Sequence, residues 1–131
     1  MRVKCIGNSL DSLSDEVQRA AFTRSVHLDH VDLVIGAEYV VYGIAYWNGT
    51  AWFLVCEYPD DEYPKPHLGA LFHICDNRIP PGWMFTPRSS LGDFAVLPEL
   101  SARDTRAFER LVDGEKKELE EFLKLKQQYG P

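Results

Sequence analysis

The segment from Glu38 to Phe85 decides the fold, and it reads EYVVYGIAYWNGTAWFLVCEYPDDEYPKPHLGALFHICDNRIPPGWMF. Its first part, Glu38 to Tyr46, alternates and is rich in Val, Tyr and Ile, which is typical of a β-strand. Asn48-Gly49 is a strong signal for a two-residue hairpin turn, and Ala51 to Tyr58 has the composition of a second strand. These residues predict an antiparallel β-hairpin.

A third strand-like run, Ala70 to Cys75, follows a proline-containing loop and comes before the break at Pro80-Pro81-Gly82. We expect the three runs to form one small antiparallel sheet within residues 38–85. Because these runs either alternate or are continuously apolar, six of their residues are predicted to share one core. They are Val41, Ile44, Trp52, Leu54, Leu71 and Ile74.

The residues before the sheet contain a possible strand and a helix. Val3 to Ile6 is strand-like, but Gly7 follows at once and cuts the run short. Ser14 precedes two acidic residues and an apolar spacing typical of an amphipathic helix, so it is predicted to cap an N-terminal helix. Gly36 is expected to mark the corner that leads into the sheet.

The residues after the sheet predict a last strand and a helical segment. Phe94 to Leu97 is a short apolar run that ends at Pro98. Residues 101–129 have apolar residues at helical spacing, and Gly114 is expected to interrupt them. The whole chain is therefore expected to be a single α+β domain over residues 1–131, with the sheet between an N-terminal and a C-terminal helix.

The charge and hydropathy of the chain exclude several classes of function. The formal net charge is -6 over 131 residues, whereas direct binding of nucleic acid needs clustered Lys and Arg. No apolar run reaches the roughly 18 to 20 residues of a spanning helix, and the first residues lack the apolar centre of a signal peptide. We expect a cytoplasmic protein that binds neither nucleic acid nor membrane directly.

The best local candidates for chemistry are His73, Cys75 and Asp76. A small enzyme that uses them is one alternative, but no triad partner, nucleophile elbow or phosphate-binding loop accompanies them. His67 adds a possible metal ligand, although a structural zinc site needs four ligands in recognisable pairs. No metal and no cofactor are predicted, and Cys75 is expected to be a buried apolar residue of its strand.

A cluster of acidic and aromatic residues follows the second strand and has no basic residue within it. Four carboxylates stand together with two tyrosines that flank the acids, and two tryptophans, Trp47 and Trp52, stand on the adjoining hairpin. Aromatic anchors among fixed charges are typical of a surface that binds a protein, because aromatics supply contact area and acids attract a basic partner. Acidic loops also occur simply because they are well solvated. The candidate partner-binding residues are Glu57, Tyr58, Asp60, Asp61, Glu62, Tyr63 and Trp47.

Several short motifs of the central segment resemble a group of small bacterial immunity or antitoxin proteins of secreted toxin systems, which include polymorphic and contact-dependent toxins. The resemblance covers about a third of the chain, and this chain carries additional residues at 65–70. The motifs are Val41-Tyr42-Gly43-Ile44, Trp52-Phe53-Leu54-Val55-Cys56, Tyr63-Pro64, and Leu71 to Arg78 with Trp83.

The resemblance implies a protein that binds and blocks a cognate toxin and catalyses no reaction of its own. A toxin that acts on nucleic acid must present Lys and Arg to phosphates. The carboxylates between Glu57 and Tyr63 would then occupy the surface that otherwise meets phosphate groups.

Overall fold

The computed structural model describes residues 1–87 and 90–130, which form eight strands and four α-helices. The strands are β1 Arg2–Cys5, β2 Glu38–Val40, β3 Ile44–Trp47, β4 Thr50–Val55, β5 Lys65–Leu68, β6 Phe72–Asp76, β7 Met84–Pro87 and β8 Phe94–Leu97. The helices are α1 Glu16–Ser25, α2 Glu99–Ala102, α3 Ala107–Val112 and α4 Lys116–Tyr129. Helix accounts for about 31% and strand for about 28%, with every strand pair antiparallel, so the predicted α+β class is confirmed.

The predicted hairpin is present as β3 and β4. Trp47 pairs with Thr50 across the turn, and the backbone φ angles are 52° at Asn48 and 75° at Gly49. Positive φ at both central residues defines a type I′ turn, whose backbone twist matches that of the paired strands. Asn and Gly adopt positive φ angles most readily. Local sequence alone therefore accounts for this part of the sheet.

The strands form two sheets, whereas the sequence predicted one sheet within residues 38–85. One sheet has the order β2-β1-β6 and the other β5-β4-β3-β8-β7. The strand-like run from Glu38 to Tyr46 is divided between the two sheets, and Gly43 lies at the division. A Cβ at Gly43 would lie 2.6 Å from Leu54 Cδ1 and 2.7 Å from Leu97 Cδ2. Only glycine lets the backbone pass this close to both side chains.

Strand β5 lies in the proline-containing segment that the sequence analysis predicted to be a loop. Pro66 pairs with Leu54 of β4, and β5 is the edge strand of its sheet. Proline lacks the N–H that an interior strand donates, so an edge position accommodates it without losing a ladder hydrogen bond. The proline therefore marks a sheet edge here.

Two apolar clusters replace the single predicted core. The first joins β1, α1, β4 and β5 and includes Val3, Phe22 and Phe53, and the second joins the five-stranded sheet to α2, α3 and α4. Of the predicted core residues, Val41, Trp52 and Leu71 are buried in the first cluster and Ile44 is partly buried against it. Leu54 is buried in the second cluster.

Two predictions for residues of strand β6 are wrong. Ile74 is 44% exposed, so its assignment to the core is wrong. Cys75 is also exposed, so its prediction as a buried apolar residue is wrong too. Within β6, which is an edge strand, only the first residue, Phe72, is fully buried. Apolar composition does not distinguish such an edge from a central strand.

The helices differ in detail from the sequence prediction. Helix α1 begins after Asp15, whose carboxylate accepts a hydrogen bond from the Gln18 N–H at 3.0 Å, so Asp15 and not Ser14 is the cap. The C-terminal segment is divided into α2, α3 and α4, and Gly114, with φ of 78°, lies at the predicted interruption. Among the described residues, no helix has both the length and the apolar character to cross a membrane.

Candidate functional site

The acidic loop, residues 57–63, connects β4 to β5 and has a fixed internal turn. The Tyr58 N–H donates to Asp61 Oδ2 at 3.1 Å, and the Asp61 N–H donates to the Tyr58 carbonyl at 3.1 Å. An aspartate side chain that accepts from a nearby backbone amide stabilises a turn locally. Asp61 therefore shapes the loop in addition to carrying a charge.

Helix α4 holds the same loop from behind. The Lys126 ammonium donates to the carbonyl oxygens of Pro59 at 2.7 Å and of Asp61 at 2.9 Å. Tyr63 is half-buried against the second apolar cluster, and Pro64 is buried. The loop is thus attached to the body of the protein at its middle and at its end.

Tyr58 links the loop to a second acidic segment. Its hydroxyl donates to Asp32 Oδ2 at 3.0 Å, which raises the pKa of Tyr58, while its side chain stays half exposed. Asp60 and Glu62 are exposed on the loop, and Asp32 is exposed beside it. We call these four residues the acidic surface: Asp32, Tyr58, Asp60 and Glu62.

Trp47 is not brought to the acidic surface. Its ring stacks on Trp52 with centroids 4.1 Å apart and planes 2° apart, and it is half-buried at the turn of the hairpin. The acidic loop begins beyond the opposite end of β4, which at about 3.3 Å per residue lies roughly 20 Å away. The stacked pair therefore stabilises the hairpin.

Glu57 points into the protein. Its side chain is only 11% exposed, and its Oε1 atom lies 3.5 Å from Lys65 Nζ and 3.7 Å from His67 Nε2. The nearby His67 imidazole lowers the pKa of Glu57, burial opposes this effect, and Lys65 adds to the lowering. At 3.7 Å the imidazole contact is longer than a formed hydrogen bond. Glu57 is therefore separated from the exposed carboxylates of the loop.

Glu57 lines two cavities that lie on either side of it. The first has a volume of about 620 Å³ and is bounded by the segment after α1, by Trp52 and by β5. The second has about 680 Å³ and lies between β2, the start of the acidic loop and α4. Cys56 lines the second cavity, and burial raises the pKa of its thiol to about 11, so it is a weak nucleophile.

The residues of the enzymatic alternative lie elsewhere, on edge strand β6. His73 and Cys75 are exposed, and the Asp76 carboxylate is paired with the Arg78 guanidinium at 2.7 Å. This pair holds the pKa of Asp76 below its ordinary range. The linings of the two cavities described above include none of these residues. Within residues 1–87 and 90–130, no group of three or more His, Cys, Asp or Glu residues could hold a metal ion.

The sequence identified the acidic loop but missed the residues that support it. Lys126 and Asp32 are distant in sequence, and neither has a local signal that relates it to the loop. His67 was noticed only as a possible metal ligand. Comparison with family models, with curated proteins and with solved structures found no match to this chain.

Proposed function

We propose that this chain is an immunity protein that binds and neutralises a basic toxin domain in the bacterial cytoplasm and catalyses no reaction of its own. The observation that carries the proposal is the attachment of the acidic loop to α4 by Lys126. The attached loop presents Asp60 and Glu62 to solvent.

The charge of the acidic surface supports a basic partner. Asp60, Glu62 and Asp32 are exposed carboxylates, and the whole chain has a net charge of -6. A protein that acts on nucleic acid presents Lys and Arg to phosphates. Carboxylates in the position of those phosphates attract the same surface and accelerate encounter.

The fixed conformation of the loop supports a binding role as well. A flexible loop loses conformational entropy when it binds, which weakens the complex. Here the turn between Tyr58 and Asp61 and the Lys126 hydrogen bonds already order the loop in the free protein. The partner therefore meets a surface that needs little further ordering.

Tyr58 supplies the aromatic part of the surface. Its side chain is half exposed, and its hydroxyl is held by Asp32. Exposed tyrosines with few rotatable bonds are frequent anchors of protein interfaces, since they bury much area at low entropic cost. The resemblance of the central segment to immunity proteins points to the same function.

The test is a binding measurement with an inactive form of a cognate toxin domain. We expect Asp60→Asn with Glu62→Gln to lower the association rate several-fold and to flatten its dependence on salt. Asp61 is left unchanged because its carboxylate forms the turn. The control is Glu99→Gln with Glu115→Gln, which removes the same charge from exposed positions outside the loop.

Slower association in both double variants would indicate an effect of net charge alone. Unchanged association and salt dependence in the loop variant would show that the partner binds elsewhere, and absence of any complex with the unmodified chain would refute the proposed function.

A further inference from the structure

The first cavity contains a buried imidazole nitrogen without a partner. The His67 side chain is 7% exposed, and among the described residues its Nε2 atom has no hydrogen-bond partner. Buried polar atoms of native proteins are nearly always hydrogen-bonded. His67 lines the cavity, and its Nε2 atom lies 3.7 Å from Glu57 Oε1, so the carboxylate is the polar group of this wall that a ligand would meet.

The buried charge beside this nitrogen is negative. The Glu57 carboxylate is 11% exposed, and its pKa is lowered, so it is ionised at neutral pH. An anionic ligand close to Glu57 would be repelled, since a buried carboxylate is screened little by water. A cationic ligand gains the corresponding attraction.

Lys65 is the cation that now lies nearest to Glu57. Its ammonium is 3.5 Å from the carboxylate, and its side chain is half exposed at the mouth of the cavity. An exposed lysine contributes little to such a pair and has a flexible four-carbon stem. The Lys65 ammonium can therefore rotate away from Glu57 into the solvent when another cation reaches the carboxylate.

The remaining wall of the cavity is mainly apolar. Side chains from α1, the segment after it, and strands β4 and β5 close the space around Glu57 and His67. They include Phe22, Val26, Val31, Trp52, Leu68 and Leu71. A volume of about 620 Å³ is within the range of small-ligand sites. Such a wall favours an alkyl stem behind the charged group.

We propose that this cavity binds a guanidinium or ammonium group on a short apolar stem. The cation donates hydrogen bonds to the Glu57 carboxylate, next to which His67 Nε2 lies at 3.7 Å. Either a small organic amine or the arginine or lysine side chain of a protein supplies this chemistry. The inference does not rest on the proposed function, because its argument uses Glu57 and the cavity wall and not the exposed carboxylates, although Asp32 of the acidic surface also lines this cavity.

The test is calorimetric titration of the whole purified protein with n-butylguanidinium, with amide NMR shifts to locate the site. We expect saturable binding that shifts the amide signals of Lys65, His67 and Leu68. The neutral isostere n-butylurea should bind at least tenfold more weakly. Glu57→Gln should weaken binding of n-butylguanidinium at least tenfold, whereas Glu99→Gln, at an exposed position of α2, should not.

A second probe, N-acetyl-arginine N-methylamide, distinguishes the two sources of the cation. Comparable binding of this probe supports a protein side chain, and binding of n-butylguanidinium alone supports a small amine. The isostere comparison uses the unmodified protein, so it stays decisive even where Glu57→Gln fails to fold. No saturable binding of either cation, or equal binding of n-butylurea, would overturn the proposal.

Discussion

Lys126 of α4 donates a hydrogen bond to the carbonyl oxygen of Asp61, 65 positions earlier in the chain, at 2.9 Å. If this contact orders the acidic loop, Lys126→Met should release the loop while leaving the hydrophobic contacts of its stem. We expect faster hydrogen exchange of the Asp61 amide, which donates to Tyr58 within the turn. Mass-spectrometric exchange of the peptide that contains residues 57–63 measures it.

The control for this change is Lys124→Met, which removes an exposed lysine from the same helix. The global urea midpoint should move little in both variants, because an exposed or half-exposed lysine contributes little to stability. Equal exchange of the loop in Lys126→Met and in the unmodified protein would show that the turn alone orders it.

Two substitutions at Tyr58 separate its ring from its hydroxyl. Tyr58→Ala should raise the dissociation rate of the toxin complex by about tenfold, which corresponds to about 1.4 kcal/mol. Tyr58→Phe keeps the ring and loses only the hydrogen bond to Asp32, so its effect should be smaller. Surface plasmon resonance resolves the two rates. Similar dissociation rates in the alanine variant and the unmodified chain would remove Tyr58 from the interface.

Two apolar residues that look alike in the sequence should differ in their contribution to stability. Leu54 is 1% exposed, and Leu54→Ala should lower the free energy of unfolding by about 2 to 5 kcal/mol. Ile74 is 44% exposed on β6, and Ile74→Ala should cost clearly less. Urea unfolding monitored by tryptophan fluorescence compares them. Equal midpoints in the two variants would contradict the difference in burial between Leu54 and Ile74.

The pH dependence of stability should reflect the ion pair between Arg110 of α3 and the buried Glu118 of α4. Glu118 is almost fully buried and accepts a hydrogen bond from Arg110 Nε at 3.1 Å, which lowers the pKa of Glu118. A carboxylate with a lowered folded pKa stabilises the protein above its unfolded pKa, about 4.3, and loses this effect as the pH falls through the folded pKa.

Glu118→Gln should therefore be less stable than the unmodified protein at neutral pH and should lose less stability in acid. Urea midpoints from about pH 6 to about pH 3 cover the interval in which glutamate titrates. Glu120→Gln, at an exposed position on the same helix, is the matched control. If the urea midpoint of Glu118→Gln changed with pH in the same way as that of the unmodified protein, ionisation of Glu118 would not contribute to stability.

The three thiols should react in an order that follows their exposure. Cys75 is exposed, whereas Cys5 is buried with a raised pKa and Cys56 is half-buried with a pKa of about 11. Because the thiolate is the reactive form, a disulfide reagent should label one thiol rapidly in the folded protein. Cys75→Ser should abolish the rapid phase. A rapid phase that persists in this variant would place the accessible thiol elsewhere.

Sequence patterns predicted the features that depend on neighbouring residues. The Asn48-Gly49 turn needs only the two strands beside it, and Gly114 interrupts the C-terminal helices at the expected place. The α+β class and the short strand at Phe94 to Leu97 also follow from local composition. These features are encoded within a few residues of where they occur.

The features that the sequence did not predict depend on distant contacts. Gly43 divides the strand-like run because Leu54 and Leu97 lie against it. Ile74 is 44% exposed although it lies in a mainly apolar run, so its burial depends on what packs over β6 and not on the residue itself. Glu57 turns inward because β5 places Lys65 and His67 beside it. Each of these outcomes requires a partner that a local pattern cannot identify.

Strand β1 is the centre of its sheet, although the strands that pair with it come much later in the chain. Arg2 pairs with Val40 on one side and with Asp76 on the other. During synthesis, β1 has to remain unpaired until residues 38–40 and then 72–76 have left the ribosome, whereas the β3–β4 hairpin can close at once. Closing such long loops is entropically costly, so we expect completion of this sheet to be a late step of folding.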